Sequence, residues 1–300
     1  MFRRISFTLV ILAIGLAACV SNDSNDSSVL RLEFSGLEPL ANGFHYEGWA
    51  ITDGNAVSTG KFNVDETVTI VDLSGAPVAN SEFESLADLD AVDTFVLTIE
   101  PAGDTDSVPS STHLMGGDFQ NGTANLQVDH GSSLGDDFSD AEGMYILATP
   151  TNGSNTDENS GIWFLDPSGA APVAGLSLPT LPAGWVYEGW VVIGGVPVTS
   201  GTFISPSGFD NDDPFSGVQP GPPFPGEDFL VDAPAGVSFP TNLAGMTAVI
   251  SIEPFPDSDP APFTLKPLVG QIPAGALDHT PYSMENNASS SFSSGTASVL

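Results

Sequence analysis

Basic side chains are the scarcest feature of this sequence. Five lysines and arginines stand against 38 aspartates and glutamates, which gives a formal net charge of −33 over 300 residues. A field of this sign repels nucleic acid and the headgroups of anionic lipids, and so excludes both as partners bound through charge. The same field suits a medium in which salt or divalent cations screen the carboxylates.

Cysteine and long apolar runs are almost as rare. Cys19 is the only thiol, so an intramolecular disulfide is excluded. The one long apolar run, Ile5 to Ala18, is shorter than the roughly 20 residues that span a bilayer. Because Arg3 and Arg4 precede this run, residues 1–19 have the parts of a secretory signal rather than of a membrane helix.

The end of this signal, Leu16-Ala17-Ala18-Cys19, resembles the lipobox of bacterial lipoproteins. The resemblance implies that the Cys19 thiol is acylated, and two or three acyl chains hold a protein stably on a membrane. It also implies a place in the cell envelope, facing the periplasm or the exterior, and Val20 in place of an aspartate favours the outer membrane. An ordinary signal peptide with a chance cysteine is the alternative. Residues 20–28 are polar and predict a flexible tether.

Glycine and proline are abundant, at 32 and 25 residues, while the charged fraction is 14% and the hydrophobic fraction 41%. This composition is typical of short strands and tight turns around a core, and not of a disordered chain. Val29 to Phe34 alternates apolar and polar residues, and two apolar runs flank Asp53-Gly54, which predicts a strand and a hairpin. We therefore predict an all-β fold of two tandem β-sandwich units of immunoglobulin-like type.

The prediction of two units rests on a duplicated motif. Tyr-Glu-Gly-Trp occurs at Tyr46 and again 141 positions later at Tyr187, with matching residues on both sides. Further on, the matching strands that end in Glu-Pro lie 153 positions apart, so the second copy holds an insertion. Self-similarity in a fixed order indicates duplicated structural units. The recurring residues are Tyr46, Glu47, Gly48, Trp49 and Glu100 in the first copy and Tyr187, Glu188, Gly189, Trp190 and Glu253 in the second.

The duplication sets the predicted domain boundaries. The first unit covers residues 29–130, a junction covers 131–142, and the second unit covers 143–300. The second unit has an extra N-terminal hairpin and a loop insertion at 205–229, rich in proline, glycine and aspartate. Residues 295–297 and 122–124 both read Gly-Thr-Ala, so we expect the serine-rich C-terminus to form the closing strand of the second unit.

The duplicated motif has a physical interpretation. In a strand, Tyr46 and Gly48 share one face, while Glu47 and Trp49 share the other. A glycine inside a strand leaves a gap that an aromatic ring covers, or it marks a bulge. We expect the tryptophan to pack in the core rather than to serve as a ligand platform. The recurring glutamates have almost no basic partners, so they must find hydroxyls, backbone amides or water, or stay protonated.

Each copy shows Tyr-x-x-Trp, a glycine turn, Ser/Thr-x-Gly-x-Phe, and a strand ending in Glu-Pro before a loop of glycine, proline and aspartate. The second copy begins with Leu-Pro-Ala-Gly. Over most of residues 29–120 and 173–272 this pattern resembles the C-terminal extracytoplasmic domain of anti-sigma-K factors. The resemblance implies a sensory or protein-contact role in the envelope. The cytoplasmic helical domain and the membrane helix of those factors are not seen in the sequence, so we do not expect direct binding of a sigma factor.

Catalytic motifs are weak. Residues 131–135 read Gly-Ser-Ser-Leu-Gly, which fits the nucleophile-elbow pattern with Ser133 as the nucleophile and His130 beside it. That elbow requires a strand before it and a helix after it, whereas this segment lies in a polar junction. Paired glutamates would suit a glycosidase, but the sequence does not give the separation of their carboxylates. We predict no catalytic and no cofactor-binding residue, with a hydrolase as an alternative.

Metal ligands are equally sparse. The four histidines are scattered without a zinc-binding spacing, which predicts structural or exposed roles. Asp210, Asp212 and Asp213 are weak candidates for calcium, which takes six to eight oxygen ligands, although solvated turns are the plainer interpretation. We therefore expect a lipid-anchored, non-catalytic envelope protein that contacts an unknown envelope partner. The alternative is a surface binding module for polysaccharide or calcium.

Overall fold

The computed structural model describes residues 28–85, 89–257 and 259–300. The predicted signal, Cys19 and residues 20–27 of the predicted tether lie outside the described residues. Strands dominate the described elements, which confirms the all-β prediction. Within the same residues, no helix is both long and apolar enough to cross a bilayer.

The described residues form twenty strands and one short α-helix. The N-terminal part contains β1 (Ser28–Ser35), β2 (His45–Thr52), β3 (Asn55–Val64), β4 (Ile70–Val71), β5 (Glu82–Ser85), β6 (Thr94–Glu100), β7 (His113–Gln120) and β8 (Thr123–Gln127). The C-terminal part contains β9 (Glu142–Leu147), β10 (Gly161–Trp163), β11 (Leu165–Asp166), β12 (Val173–Ala174), β13 (Leu176–Ser177), β14 (Trp185–Ile193), β15 (Val196–Phe203), β16 (Gly226–Asp228), β17 (Thr247–Pro254), β18 (Leu268–Gln271), β19 (Tyr282–Asn286), α1 (Ala288–Ser291) and β20 (Ser294–Val299).

Two large antiparallel sheets take in most of these strands. The order in the first sheet is β4-β3-β2-β6-β7-β8-β20-β1-β5, and in the second it is β15-β14-β17-β18-β19-β9-β10-β16, with β13 also paired to β9. β11 and β12 form a separate pair. When β2 is aligned with β14, the strands that carry the duplicated motif follow one another in the same order in both sheets. That correspondence is consistent with a duplicated unit.

Each sheet bends until its outer strands approach each other, β3 against β5 in the first and β15 against β16 in the second. Both sheet bodies are consistent with a β-sandwich. Apolar side chains from both fill one continuous cluster, which includes Leu97 and Tyr187. Phe138, in the segment between β8 and β9, packs edge-on against Tyr187 and Phe292. The junction is therefore part of the core.

The hairpins of both copies have turns whose backbone angles suit the residues that form them. Asp53 and Gly54 both have positive φ angles, 50° and 76°, and connect β2 to β3 with Thr52 opposite Asn55. Gly194 and Gly195 have φ angles of 61° and 90° and connect β14 to β15 in the same way. Two successive positive φ angles match the right-handed twist of the flanking strands and favour asparagine, aspartate and glycine.

The C-terminal strand occupies a place that the sequence did not predict. We expected it to close the second unit, but β20 lies in the first sheet between β8 and β1, with Ala297 opposite Ala124 on one side and Leu32 on the other. The two Gly-Thr-Ala segments are thus neighbours in one sheet rather than counterparts in two. The physical reason is that β9, which follows β8 in the chain, pairs with β19 in the second sheet and leaves the place beside β8 to be filled by β20.

The insertion at 205–229 is not a surface loop throughout. Its last part forms β16, which pairs with β10 through Gly226 opposite Trp163 and Asp228 opposite Gly161. Glu227, Asp228 and Phe229 are fully buried. The sequence did not predict this strand, because proline and glycine precede its two acidic residues and favour a loop.

Candidate functional site

A buried polar face on β2 and β6 contains the glutamates of the first copy. His45, Glu47 and Trp49 alternate along β2 on one side of the sheet, with Glu100 opposite His45 and Thr98 opposite Glu47 on β6. All five side chains are buried. Trp49 Nε1 donates to Thr98 Oγ1 at 2.9 Å, and the Thr98 hydroxyl donates to Glu100 Oε1. The indole, the hydroxyl and the carboxylate thus form one chain of hydrogen bonds.

The second copy repeats this chain with its own residues. Trp190 Nε1 donates to Ser251 Oγ at 2.8 Å, and the Ser251 hydroxyl donates to Glu253 Oε1. The tyrosines of the motif also match, because the Tyr46 hydroxyl donates to the carbonyl of Glu38 at 2.8 Å and the Tyr187 hydroxyl to that of Pro179 at 2.7 Å. Hydroxyls are therefore partners of Glu100 and Glu253, and each of these carboxyls also accepts a backbone amide, that of Ser110 or of Phe263.

Each glycine of the motif lies under an aromatic ring and beside a bulge. A Cβ atom at Gly48 would lie 2.5 Å from Thr59 Oγ1 and 2.7 Å from Phe95 Cζ, and one at Gly189 would meet the Phe164 ring at 2.8 Å. The register of β2 with β3 shifts between Gly48 and Trp49, and that of β14 with β15 shifts in the corresponding place. Both features that the sequence offered as alternatives for the glycine are present.

The first copy has two further charged side chains on the polar face. Lys61, opposite Glu47 on β3, brings its Nζ atom 2.7 Å from Asp104 Oδ2 and 3.3 Å from Glu47 Oε2. The Lys61 hydrogen bond holds the pKa of Asp104 below its usual value. Burial alone would lower the pKa of Lys61, but the carboxylates of Asp104 and Glu47 outweigh it and raise that pKa.

His45 completes this charged group. One ring nitrogen of His45 and carboxylate oxygens of Glu47 and Asp104 all lie within 4.8 Å of one another. His45 Nδ1 is 3.5 Å from the carbonyl oxygen of Gly43, while His45 Nε2 is buried without a hydrogen-bond partner. The sequence gave no sign of this arrangement, since Asp104 lies in the loop after β6, far along the chain from β2. The group has the donor set of a metal site.

The second copy lacks both the imidazole and the ammonium. The places of His45 and Lys61 are taken by Val186, opposite Glu253, and Thr202, opposite Glu188. Burial raises the pKa of Glu253 to about 8 and that of Glu188 to about 7, and the like charges of Glu188 and Asp257 raise the pKa of Glu253 further. The same scaffold thus holds an ion pair of Lys61 with acidic side chains in one copy and carboxyls whose pKa is raised by burial in the other.

A third acidic group lies at β16, where the sequence predicted only a loop. Trp163 Nε1 donates to Asp228 Oδ1 at 2.7 Å, and the Thr151 amide donates to Asp228 Oδ2 at 2.7 Å. The Phe215 amide donates to Glu227 Oε2 at 3.0 Å. Burial raises the pKa of Glu227 to about 7. These carboxyls hold the insertion against β10.

The weak calcium candidates do not converge. Asp210 Oδ2 accepts a hydrogen bond from the Gly226 amide at 2.9 Å, whereas Asp212 and Asp213 are exposed. Of the described residues, only His45, Glu47 and Asp104 form a group of three or more metal-ligating side chains. Asp210 therefore links the first part of the insertion to its last part, β16.

Ser133 does not have the surroundings of a nucleophile. Its buried hydroxyl oxygen lies 2.9 Å from the carbonyl oxygens of both Val128 and His130, so backbone acceptors surround its single proton. The chain then continues through turns to β9 instead of a helix. His130 Nδ1 instead bonds the Ser132 hydroxyl at 2.8 Å, and Nε2 lies 3.3 Å from Asp118 Oδ1. The Ser132 amide also points to Nδ1, at 3.3 Å, so the imidazole holds a local turn.

Several clefts open on the surface, and two of them have different linings. One, of about 390 Å³, is lined mainly by polar side chains from residues 155–160 and 240–242 and by Asp278. The other, of about 710 Å³, lies where β8, the junction, α1 and the start of β20 meet. No family model, no curated protein and no solved structure matches the chain. Its function is therefore argued from its own residues.

Proposed function

We propose that this chain is a lipid-anchored, non-catalytic protein of the cell envelope that contacts an envelope protein or senses the state of the envelope. Its two units are proposed to be of the anti-sigma-K C-terminal type, without direct binding of a sigma factor. The observation that carries the proposal is the signal ending in Leu16-Ala17-Ala18-Cys19, followed after only eight residues by β1 of the first sheet.

This spacing keeps the folded body near the membrane. The nine backbone steps from Cys19 to Ser28 span at most about 32 Å when fully extended, so the start of β1 would lie within that distance of a lipid at Cys19. The large negative charge of the chain opposes contact with anionic headgroups. A short tether combined with this repulsion suits a body that meets other proteins just above the lipid surface.

The anchor is tested by expressing the full-length chain and its Cys19→Ala variant in a bacterial host. We expect the wild type in the membrane fraction, with an N-terminal peptide whose mass includes acyl chains, and the variant in the soluble fraction. A wild-type chain recovered in the soluble fraction with a free thiol would overturn the anchor.

The contact role is tested by chemical cross-linking in intact cells, with an unrelated lipoprotein of similar charge as the control. We expect one envelope protein to be recovered with this chain, absent from the control, and to recover this chain in the reverse experiment. Failure to recover any reproducible partner would contradict the role.

A second candidate function, the binding of polysaccharide or calcium, is favoured by the polar cleft of about 390 Å³. Asn155, Asp157, Asn159, Asn242 and Asp278 line it and offer amide and carboxylate oxygens. Asn159 Oδ1 is buried there without a hydrogen-bond partner. Calorimetric titration with calcium and with envelope glycans should give heat that Asn242→Ala reduces. An absence of heat with both would dismiss this candidate.

A further inference from the structure

We propose that His45, Glu47 and Asp104 bind one divalent transition-metal ion of the zinc type per chain, in the first sheet only. This inference goes beyond the proposed envelope function and does not depend on it.

The three side chains converge from two elements. His45 and Glu47 lie two positions apart on β2, and so on the same side of the sheet, while Asp104 comes from the turn after β6. Their ligand atoms lie within 4.8 Å of one another. Zinc bonds of about 2.0–2.2 Å place neighbouring ligand atoms about 3.4 Å apart, so binding requires shifts of about an ångström.

Unpartnered buried atoms point to a missing ligand. His45 is only 4% exposed, and its Nε2 atom has no hydrogen-bond partner. Glu47 is 1% exposed, and its Oε2 atom also lacks a hydrogen bond, although Lys61 Nζ lies 3.3 Å away. A buried polar atom left unpaired costs about 1–3 kcal/mol. A cation bound within this group through these atoms would give each of them a partner.

The environment of His45 suits a metal ligand. Its Nδ1 atom faces the carbonyl oxygen of Gly43 at 3.5 Å, and a proton on Nδ1 would leave the lone pair of Nε2 for a metal. Histidines that bind metals commonly donate their second N–H to a carbonyl or carboxylate in this way. Glu47 is held similarly, because the Ser58 hydroxyl donates to its Oε1 atom and leaves Oε2 available.

The donor set selects the class of metal. Calcium and magnesium take oxygen ligands, whereas an imidazole with carboxylates suits zinc and its first-row neighbours. The Lys61 ammonium forms ion pairs with both carboxylates, and the Lys61 side chain is 25% exposed at the edge of the group. The ammonium therefore competes with the metal and leaves toward solvent when a dication binds.

The second copy supplies the matched substitutions. Valine stands in the place of His45 and threonine in that of Lys61, at Val186 and Thr202. His45→Val and Lys61→Thr therefore bring into the first copy the residues that the second copy already accommodates. The first substitution removes a proposed ligand, and the second removes the proposed competitor.

The experiment is a calorimetric titration of the metal-free full-length chain with Zn²⁺, in proteins that all carry Cys19→Ser so that no thiol contributes. We expect one equivalent to bind, His45→Val to weaken binding by at least about tenfold, and Lys61→Thr to tighten it several-fold. His279→Ala, at an exposed histidine, should leave the affinity unchanged.

Lys61→Thr distinguishes a metal site from a structural ion pair. At a metal site, removal of the ammonium should tighten Zn²⁺ binding. If Lys61 serves only as an ion-pair partner, the substitution removes the ion pair without tightening Zn²⁺ binding. Circular dichroism confirms folding, and if His45→Val fails to fold, the visible absorption of bound Co²⁺ in the Lys61→Thr protein reports the ligand set instead. An absence of Zn²⁺ binding, or binding that neither variant changes, would overturn the proposal. A Co²⁺ spectrum without nitrogen ligation would do the same.

Discussion

At the scale of single residues, the recurring glutamates are built into the fold through hydroxyl groups. Thr98 and Ser251 each stand between a tryptophan and a carboxylate, and each lies two positions before its glutamate on the same strand. The alternation of faces in Tyr-Glu-Gly-Trp follows from the sequence. The hydroxyl partners do not, because they depend on the register between strands about fifty residues apart in the chain.

Gly48 should be intolerant of even one added carbon. We expect Gly48→Ala to lower the free energy of unfolding by about 1–3 kcal/mol, because the new methyl group would meet Thr59 and the Phe95 ring below contact distance. Urea denaturation followed by tryptophan fluorescence measures this loss. Gly275→Ala, where nothing lies within 4 Å of a Cβ atom, is the matched control. Equal stabilities of the two variants would contradict the close approach.

Glu253 should make the protein less stable as the pH rises. Its pKa is raised to about 8 by burial, so the native state keeps a proton that the unfolded chain releases near pH 4.5. This contribution is complete below about pH 4.5 and is lost as the pH rises through about 8, with a slope of about 1.4 kcal/mol per pH unit. Glu188 and Glu227 add slopes of the same sign.

Glu253→Gln should therefore flatten the dependence of unfolding free energy on pH between about 5 and 8. Denaturation curves at a series of pH values measure the slope, and Glu84→Gln, which neutralises an exposed carboxyl on β5, serves as the control. If the wild type and Glu253→Gln lost equal stability over this range, the carboxyl would not be protonated in the native state.

At the scale of strands and turns, local sequence signals predict the hairpins but not the pairing of strands that lie far apart in the chain. The hairpins at Asp53-Gly54 and Gly194-Gly195 follow from turn residues next to alternating strands. The place of β20 does not, because it depends on pairing with β8 and β1, which lie far from β20 in the chain, and no local signal specifies that pairing. The same limit concealed the metal-ligating group, since Asp104 reaches β2 only through the pairing of β2 with β6.

Removal of β20 should damage the first sheet and spare the second. We expect a chain ending at Ser293 to lose hydrogen-exchange protection in β1 and β8, since β20 pairs with both. Hydrogen exchange read by mass spectrometry locates the loss, and a chain lacking only Leu300 is the control. Loss confined to β19 and β9 would show that the strand belongs to the second sheet.

At the scale of the whole molecule, the two sheets are not independent. The chain leaves the first sheet after β8, builds the second from β9 to β19, and returns to the first with β20. One apolar cluster runs through both. The Thr264 hydroxyl also donates to the carbonyl of Gly36 at 3.0 Å, although the two residues lie 228 positions apart in the chain.

Cleavage of the junction should not separate the two parts. We expect a protease site inserted after Gly135, which is exposed, to yield two pieces that elute together in size-exclusion chromatography and separate only in urea. The same cut in a chain that ends at Ser293 should weaken the association, because β20 then no longer enters the first sheet. If the two pieces of the full-length chain separated without urea, the return of β20 to the first sheet would not hold them together.

The position of β1 also determines how the molecule would respond to tension. β1 begins at Ser28, directly after the tether, and is bonded lengthwise to β20 on one side and to β5 on the other. A pull from a lipid at Cys19 would act along β1 in shear, so that the hydrogen bonds on both of its flanks resist together instead of opening one by one. This side of the first sheet would then act as a mechanical clamp, in which β20, from the far end of the described residues, secures β1.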